Sequence, residues 1–277
     1  MNRAGIIGVA IISLLSLAGC GGDAQHPSFF TRVGRSVGLT DPAPRPTITL
    51  DIVCDPSKDG TCTADSLAAT LAATLPVIAE RPGSELRLWI IGPDIASMKR
   101  MPPVKGTVSN TGNAATIKAA TARFIESARS SCMTAAQPSL AAPVKGGSPI
   151  AESLTAIAMA SVHTDLRSII VISDAREVSA IGGDFECDDP LPSTPSFVKA
   201  LQRERVLPPG SLAGTRVFFT FMTITEISRK GCAETLDRLA TTRDLWTAAI
   251  EAAGGTPQFD TGVIDTNAIA PKEKGDN

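Results

Sequence analysis

Three stretches of the chain read as apolar on consecutive positions: Ile48 to Cys54 (ITLDIVC), Ile169 to Ser173 (IIVIS) and Val217 to Ile224 (VFFTFMTI). A strand with one wet face alternates apolar and polar residues, so an unbroken run belongs to a strand covered on both faces, as in a parallel sheet under helices. A fourth run, Leu86 to Ile91 (LRLWII), alternates at first and then turns apolar. Helical stripes fall between the runs: Leu67, Leu71, Leu75, Ile78; Ile117, Ala120, Phe124, Ile125; Ile150, Leu154, Ile157; and Leu236, Leu239, Trp246, Ile250. Strand and helix in alternation predict an α/β fold: a doubly wound, mostly parallel central sheet flanked by helices in three layers. Gly254-Gly255 ends the last long helix, and Gln258 to Asp260 offers a short edge strand.

Length and a hydrophobic content of 43% fit one well-cored domain of about 200 residues, placed at 47–265, with a polar tail at 266–277. The 26 Lys and Arg nearly balance 28 Asp and Glu and form no basic block, which argues against a nucleic-acid partner.

The chain opens MNRAGIIGVAIISLLSLAGC: one positive charge at Arg3, an apolar run from Ile6 to Leu17, then small residues ending in Cys20. The run falls short of the roughly 20 apolar residues of a spanning helix and has no charged stop-transfer flank, so it reads as an export signal. Leu17-Ala18-Gly19-Cys20 resembles the bacterial lipobox, which implies a signal peptide at 1–19, cleavage before Cys20 and lipid on that cysteine. Several acyl chains anchor far better than one. No aspartate follows Cys20, which points to an outer membrane facing the periplasm in a host that has one. Residues 20–46 are polar and broken by Pro42, Pro44 and Pro46, a flexible linker that spans at most about 85 Å.

Five cysteines remain beyond Cys20: Cys54, Cys62, Cys132, Cys187 and Cys232. The odd count leaves at least one unpaired within a monomer, in a compartment that permits disulfides. Cys54, at the end of an apolar run, is expected to be a comfortable buried thiol. The other four allow three pairings, of which Cys62 with Cys132 and Cys187 with Cys232 is preferred.

In a doubly wound sheet, ligands bind beyond the carboxyl ends of the strands, where strand order reverses. The first strand runs into Asp55-Pro56-Ser57-Lys58-Asp59-Gly60, another loop carries Gly146-Gly147-Ser148-Pro149, and the run at 169–173 ends in Ser173-Asp174. Ser148 reads as a helix N-cap and Pro149 as the first helical residue. Oxygens from separate loops are what a hard divalent cation requires, and Mg²⁺ accepts a few protein oxygens while keeping waters. Asp-Pro and Asp-Gly also serve as ordinary turn chemistry.

Together these residues resemble the von Willebrand factor A domain family and its metal-ion-dependent adhesion site. That site pairs a D-x-S-x-S loop after the first strand with a threonine on a second loop and an aspartate on a third. Asp55 and Ser57 match the first two positions, Ser148 takes the threonine place and Asp174 the last. Asp59 replaces the second serine, adding a negative charge that either ligates a cation directly or shifts preference towards Ca²⁺. Ala175 stands where the family has glycine. The resemblance implies a divalent cation, Mg²⁺ first with Ca²⁺ or Mn²⁺ as alternatives, held by Asp55, Ser57, Asp59, Ser148 and Asp174. Its open position would take an acidic group of another envelope protein, with no catalysis. A metal-free variant keeps the fold as a docking surface in an envelope assembly.

Lys58-Asp59-Gly60-Thr61 faintly resembles the D-x-D-G-T loop of haloacid-dehalogenase phosphatases, but Asp55 and Asp59 are four apart where that chemistry needs two. A serine-histidine hydrolase lacks histidines, since His26 falls in the linker and only His163 remains. No C-x-x-C or histidine cluster suggests zinc.

Overall fold

The computed structural model describes residues 45–57, 61–106, 113–142, 146–160, 164–185, 190–222 and 236–269. The signal peptide, Cys20, Lys58, Asp59, His163, Cys187 and Cys232 lie outside the described residues. The chain divides into two compact units between Arg45 and Pro46, and the sheet with its helices belongs to the second.

The core strands are β1 (Ile48–Cys54), β2 (Glu85–Ile90), β5 (Leu166–Ile172), β8 (Thr215–Thr220) and β9 (Thr256–Phe259). β1 pairs in parallel with β2 and β5, and β8 in parallel with β5 and β9. Two short strands, β3 (Lys99–Arg100) and β4 (Val104–Lys105), pair antiparallel with the outer side of β2. The order β3-β2-β1-β5-β8-β9 is a doubly wound α/β sheet whose direction of growth reverses between β1 and β5. A small hairpin of β6 (Val178–Ser179) and β7 (Gly183–Asp184) stands apart from it.

Alternation along each strand divides the core into two layers. Ile48, Leu50, Ile52 and Cys54 of β1, with Ile170 and Ile172 of β5, meet α1 (Ala64–Ala79) and α2 (Ala114–Ala141). Val53, Ile169, Val171, Val217 and Phe219 face α3 (Ile150–Met159), α4 (Thr194–Arg203) and α5 (Leu236–Ala252). Every residue of β1 is buried, the signature of a strand covered on both sides. The stripe Leu67, Leu71, Leu75, Ile78 is fully buried on α1, as are Ile150, Leu154 and Ile157 on α3. On α2 the predicted stripe is only half-buried, and the helix buries Ala128, Cys132 and Ala136 further along. Leu236, assigned to the α5 stripe, is 71% exposed because it opens the helix and precedes the part that packs.

Strand boundaries shift by a few residues. β5 begins at Leu166 and stops before Ser173, and β8 stops at Thr220, where Phe221 turns to φ 63. Gly254, with φ 85, closes the α5 end in the left-handed conformation that glycine adopts freely. Past residue 265 the chain adds α6 (Thr266–Ile269), whose Ile269 is buried against the α1 layer. Among the described residues no helix is long and apolar enough to cross a membrane.

The cysteine pairing differs from expectation. Cys54 is bonded to Cys62, with Cα atoms 5.4 Å apart, and Cys132 is the buried free thiol. The chain leaves β1 at Cys54, turns through the Asp55 loop and returns beside it at Cys62 to start α1, so eight residues of separation suffice. Burial pushes the Cys132 thiol up to about 11, leaving it a small apolar residue in chemical effect.

Candidate functional site

Three loops meet above the reversal point between β1 and β5. The first continues the β1–β5 ladder by one bond, with the Asp55 N–H donating to the Ile172 carbonyl at 3.1 Å. That bond fixes the Asp55 backbone, and the carboxylate is buried at the rim with 1% exposure. The Ser57 N–H donates to Asp55 Oδ1 at 3.2 Å.

The second loop approaches the third closely. Val178 N–H donates to the Ser148 carbonyl at 3.1 Å, and a Cβ on Gly147 would stand 2.4 Å from the Val178 carbonyl oxygen. Only glycine fits such an approach. Ser148 is therefore held by a β-bridge to Val178 rather than as an N-cap. Pro149 occupies the cap position without a side-chain cap bond, one residue later than the sequence suggests. Freed from capping, the Ser148 hydroxyl donates to Asp55 Oδ1 at 3.2 Å.

The third loop supplies Ser173 and Asp174. The Ser173 hydroxyl donates to Asp55 Oδ2 at 2.9 Å and lies 3.5 Å from Asp174 Oδ1. One hydroxyl thus spans both carboxylates, which stand within two hydrogen-bond lengths of each other. Ala175 is held at φ 64, which explains why glycine is the easier residue there. Its N–H donates to Ser173 Oγ, and its carbonyl accepts the Trp246 indole N–H at 2.8 Å. Trp246, buried on α5 and packed edge-on against Phe197, so clamps the loop from below.

Asp55, Ser57, Ser148 and Asp174 stand together on the rim, linked through Ser173, while Asp59 lies outside the described residues. Sequence reading missed Ser173 as part of the site, although a hydroxyl directly after an apolar run at a strand's carboxyl end was the available signal. It also missed Arg176, whose Nε lies 3.6 Å from Asp174 Oδ2 and whose N–H donates to Oδ1. Behind the rim, Glu177 is fully buried, accepts the Ala151 N–H at 2.9 Å, and so ties the third loop to the start of α3.

Desolvation raises the Asp55 pKa, against the lowering effect of hydrogen bonds from Ser173, Ser57 and Ser148. Desolvation also pushes Glu177 well above the usual carboxyl range, with the nearby Glu152 adding to the shift. Asp55 is therefore a buried acid supported by neutral donors, with no Lys or Arg paired to it among the described residues. Among those residues no group of three or more His, Cys, Asp or Glu is placed to hold a metal ion by itself. The rim offers two carboxylates and three hydroxyls, a set suited to a hard cation that retains waters.

Fold and rim together define a doubly wound α/β domain with an acid-and-hydroxyl site at its switch point. No protein-family profile and no curated protein sequence matches the chain. Among solved structures it is similar to an aerotolerance-related membrane protein from Bacteroides fragilis NCTC 9343 carrying multiple mutations to serine, at 12% identity and a TM-score of 0.37, covering 80% of this chain and 94% of that one. It is also similar to a von Willebrand factor type A structure from Catenulispora acidiphila, at 14% identity and a TM-score of 0.32, covering 82% of this chain and 40% of that one. Likenesses this distant do not bear on function.

Proposed function

We propose that this chain is a non-enzymatic protein-binding module of the bacterial cell envelope, tethered by lipid on Cys20, that engages an acidic group of a partner through a divalent cation. Asp55, Ser57, Ser148 and Asp174 hold the cation, Mg²⁺ in preference to Ca²⁺ or Mn²⁺, and Asp59 adds charge from the same loop. The observation that carries this reading is the buried Asp55 carboxylate, surrounded by hydroxyl and N–H donors and lacking a cationic partner among the described residues. A divalent ion supplies the charge that the neutral donors lack, and the serine hydroxyls keep lone pairs for it after donating to Asp55. The site lies beyond the strand ends, on three loops, which is where doubly wound sheets take their ligands.

A ligand that binds only the native state stabilises it by about 2.7 kcal/mol at a hundredfold excess over its Kd, or about 5 to 10 °C for a domain this size. The thermal midpoint is expected to rise with millimolar Mg²⁺, and Asp55→Ala or Asp174→Ala to abolish the rise. A wild-type protein indifferent to Mg²⁺, Mn²⁺ and Ca²⁺ would overturn the cation reading and leave a metal-free docking surface, with Arg176 supplying the positive charge beside Asp174.

A further inference from the structure

We propose that Cys62 is a thiol-exchange site, where a dithiol opens the Cys54–Cys62 bond and loosens the loop that carries Asp55 and Ser57. The bond's position makes the case. It joins the last residue of β1 to the residue just before Thr63, the N-cap of α1, and so closes a ring around the acidic rim loop. Cross-linking the two ends of a short loop removes most of its freedom, and opening it returns that freedom.

The two sulfurs differ in access. Cys54 is fully buried at the end of a central strand, while Cys62, itself 4% exposed, lines a cavity of about 570 Å³ between the rim loop and α2. Pro56 and Ser57 form one wall of this cavity, and Met133, Thr134 and Gln137 the other. An incoming thiolate therefore meets Cys62 Sγ first. Its sulfur bonds to Cys62, the Cys54–Cys62 bond breaks, and its electron pair passes to Cys54 Sγ, which takes up the proton the reagent lost. The second thiol of the reagent then attacks the mixed disulfide at the reagent's sulfur, closing an oxidised dithiol and releasing Cys62 as a thiol. Two electrons reduce the protein, and the dithiol is oxidised. Cys132 is not the attacking group, since its buried thiol resists ionisation.

The exchange itself stands on the access of the two sulfurs; its effect on cation binding rests on the proposed cation site. The full-length oxidised protein is treated with glutathione, and the mixed disulfide is located by peptide mass mapping. The adduct is expected on Cys62 in about tenfold preference to Cys54, and Thr134→Trp, which fills the far wall, should slow its formation about fivefold. Opening with dithiothreitol, or in Cys54→Ser/Cys62→Ser, should speed amide exchange across Asp55 to Cys62 by about tenfold while the β5 amides stay protected. Mg²⁺ affinity should fall about tenfold in step.

An adduct favouring Cys54, or rim-loop exchange unchanged on reduction, overturns the proposal. Should the double variant fail to fold, the dithiothreitol arm on the wild-type chain decides. If Mg²⁺ binds neither form, the cation reading has failed, yet adduct position and amide exchange still settle the thiol chemistry. Equal Mg²⁺ affinity in both forms, with the loop opened, removes the coupling alone.

Discussion

Asp51 and Asp55 lie four residues apart at the centre of the same sheet, and both are buried, yet they are compensated in opposite ways. Asp51, within β1, accepts from Arg87 at 2.8 Å, from the Trp89 indole at 2.8 Å, and from Arg167 through two contacts of 3.2 Å. Arg167 also donates to the Ile157 and Ala158 carbonyls, so this cluster pins the C-terminal end of α3 to the sheet. Asp55, just beyond the strand, meets only hydroxyls and an N–H among the described residues. A buried charge needs a countercharge, and the first aspartate has one within the chain. The second has donors that shape it without neutralising it. The contrast separates a carboxylate that builds the domain from one that, on the proposed reading, is completed by a cation.

Removing each partner breaks this contrast most directly. Asp51→Ala strands two arginines in the core and is expected to lower stability by about 3 to 5 kcal/mol, read from urea unfolding. Without divalent ions Asp55→Asn should stay within about 1 kcal/mol of wild type, since it keeps the side-chain shape and one acceptor oxygen, its NH2 can donate to the Ser173 hydroxyl in place of accepting from it, and it removes a charge that burial already disfavours. Equal losses from the two would erase the distinction. A smaller effect tests the loop contact that aims Ser148: Gly147→Ala drives a Cβ into the Val178 carbonyl and should cost about 1 to 3 kcal/mol while blunting any response to Mg²⁺.

The smallest effect is in pH. Glu177 has its folded pKa raised above the ordinary value of 4.5, so the folded state holds a proton the unfolded chain gives up. Its contribution is present in full below that ordinary value and is lost as pH rises towards the folded value. Asp55 acts in the same direction. The urea midpoint should therefore decline from mildly acidic pH upward, and Glu177→Gln should flatten the decline. A Glu177→Gln protein with an unchanged profile would show that the buried acid is not its source.

What the sequence revealed depended on how far each signal relies on distant neighbours. Strands β1, β5 and β8 were legible because burial on both faces writes itself into consecutive apolar letters. Asp55 and Asp174 could be placed on one rim because parallel strands end on the same side of the sheet, while Ser57 and Ser148 were picked out by the resemblance to the adhesion-site pattern. The thiol pairing was not: an apolar context suits both a free and a bonded cysteine, and nothing in the letters around Cys54 records that the chain doubles back to Cys62. Ser148 was displaced from its expected capping role by a long-range bridge to Val178, a contact that no local pattern encodes. The short antiparallel strands β3 and β4 are two residues each, too brief to carry periodicity.

The flanks of the sheet have a consequence of their own. One border is β9, with Pro257 in its middle, and the other is made of Lys99, Arg100, Val104 and Lys105 in two abrupt pieces. Proline lacks the N–H that a neighbouring strand would need, and clustered lysine and arginine repel a copy of themselves. Neither border is a ready template for extending the sheet into another chain, so crowding many copies side by side need not zip them into fibrils.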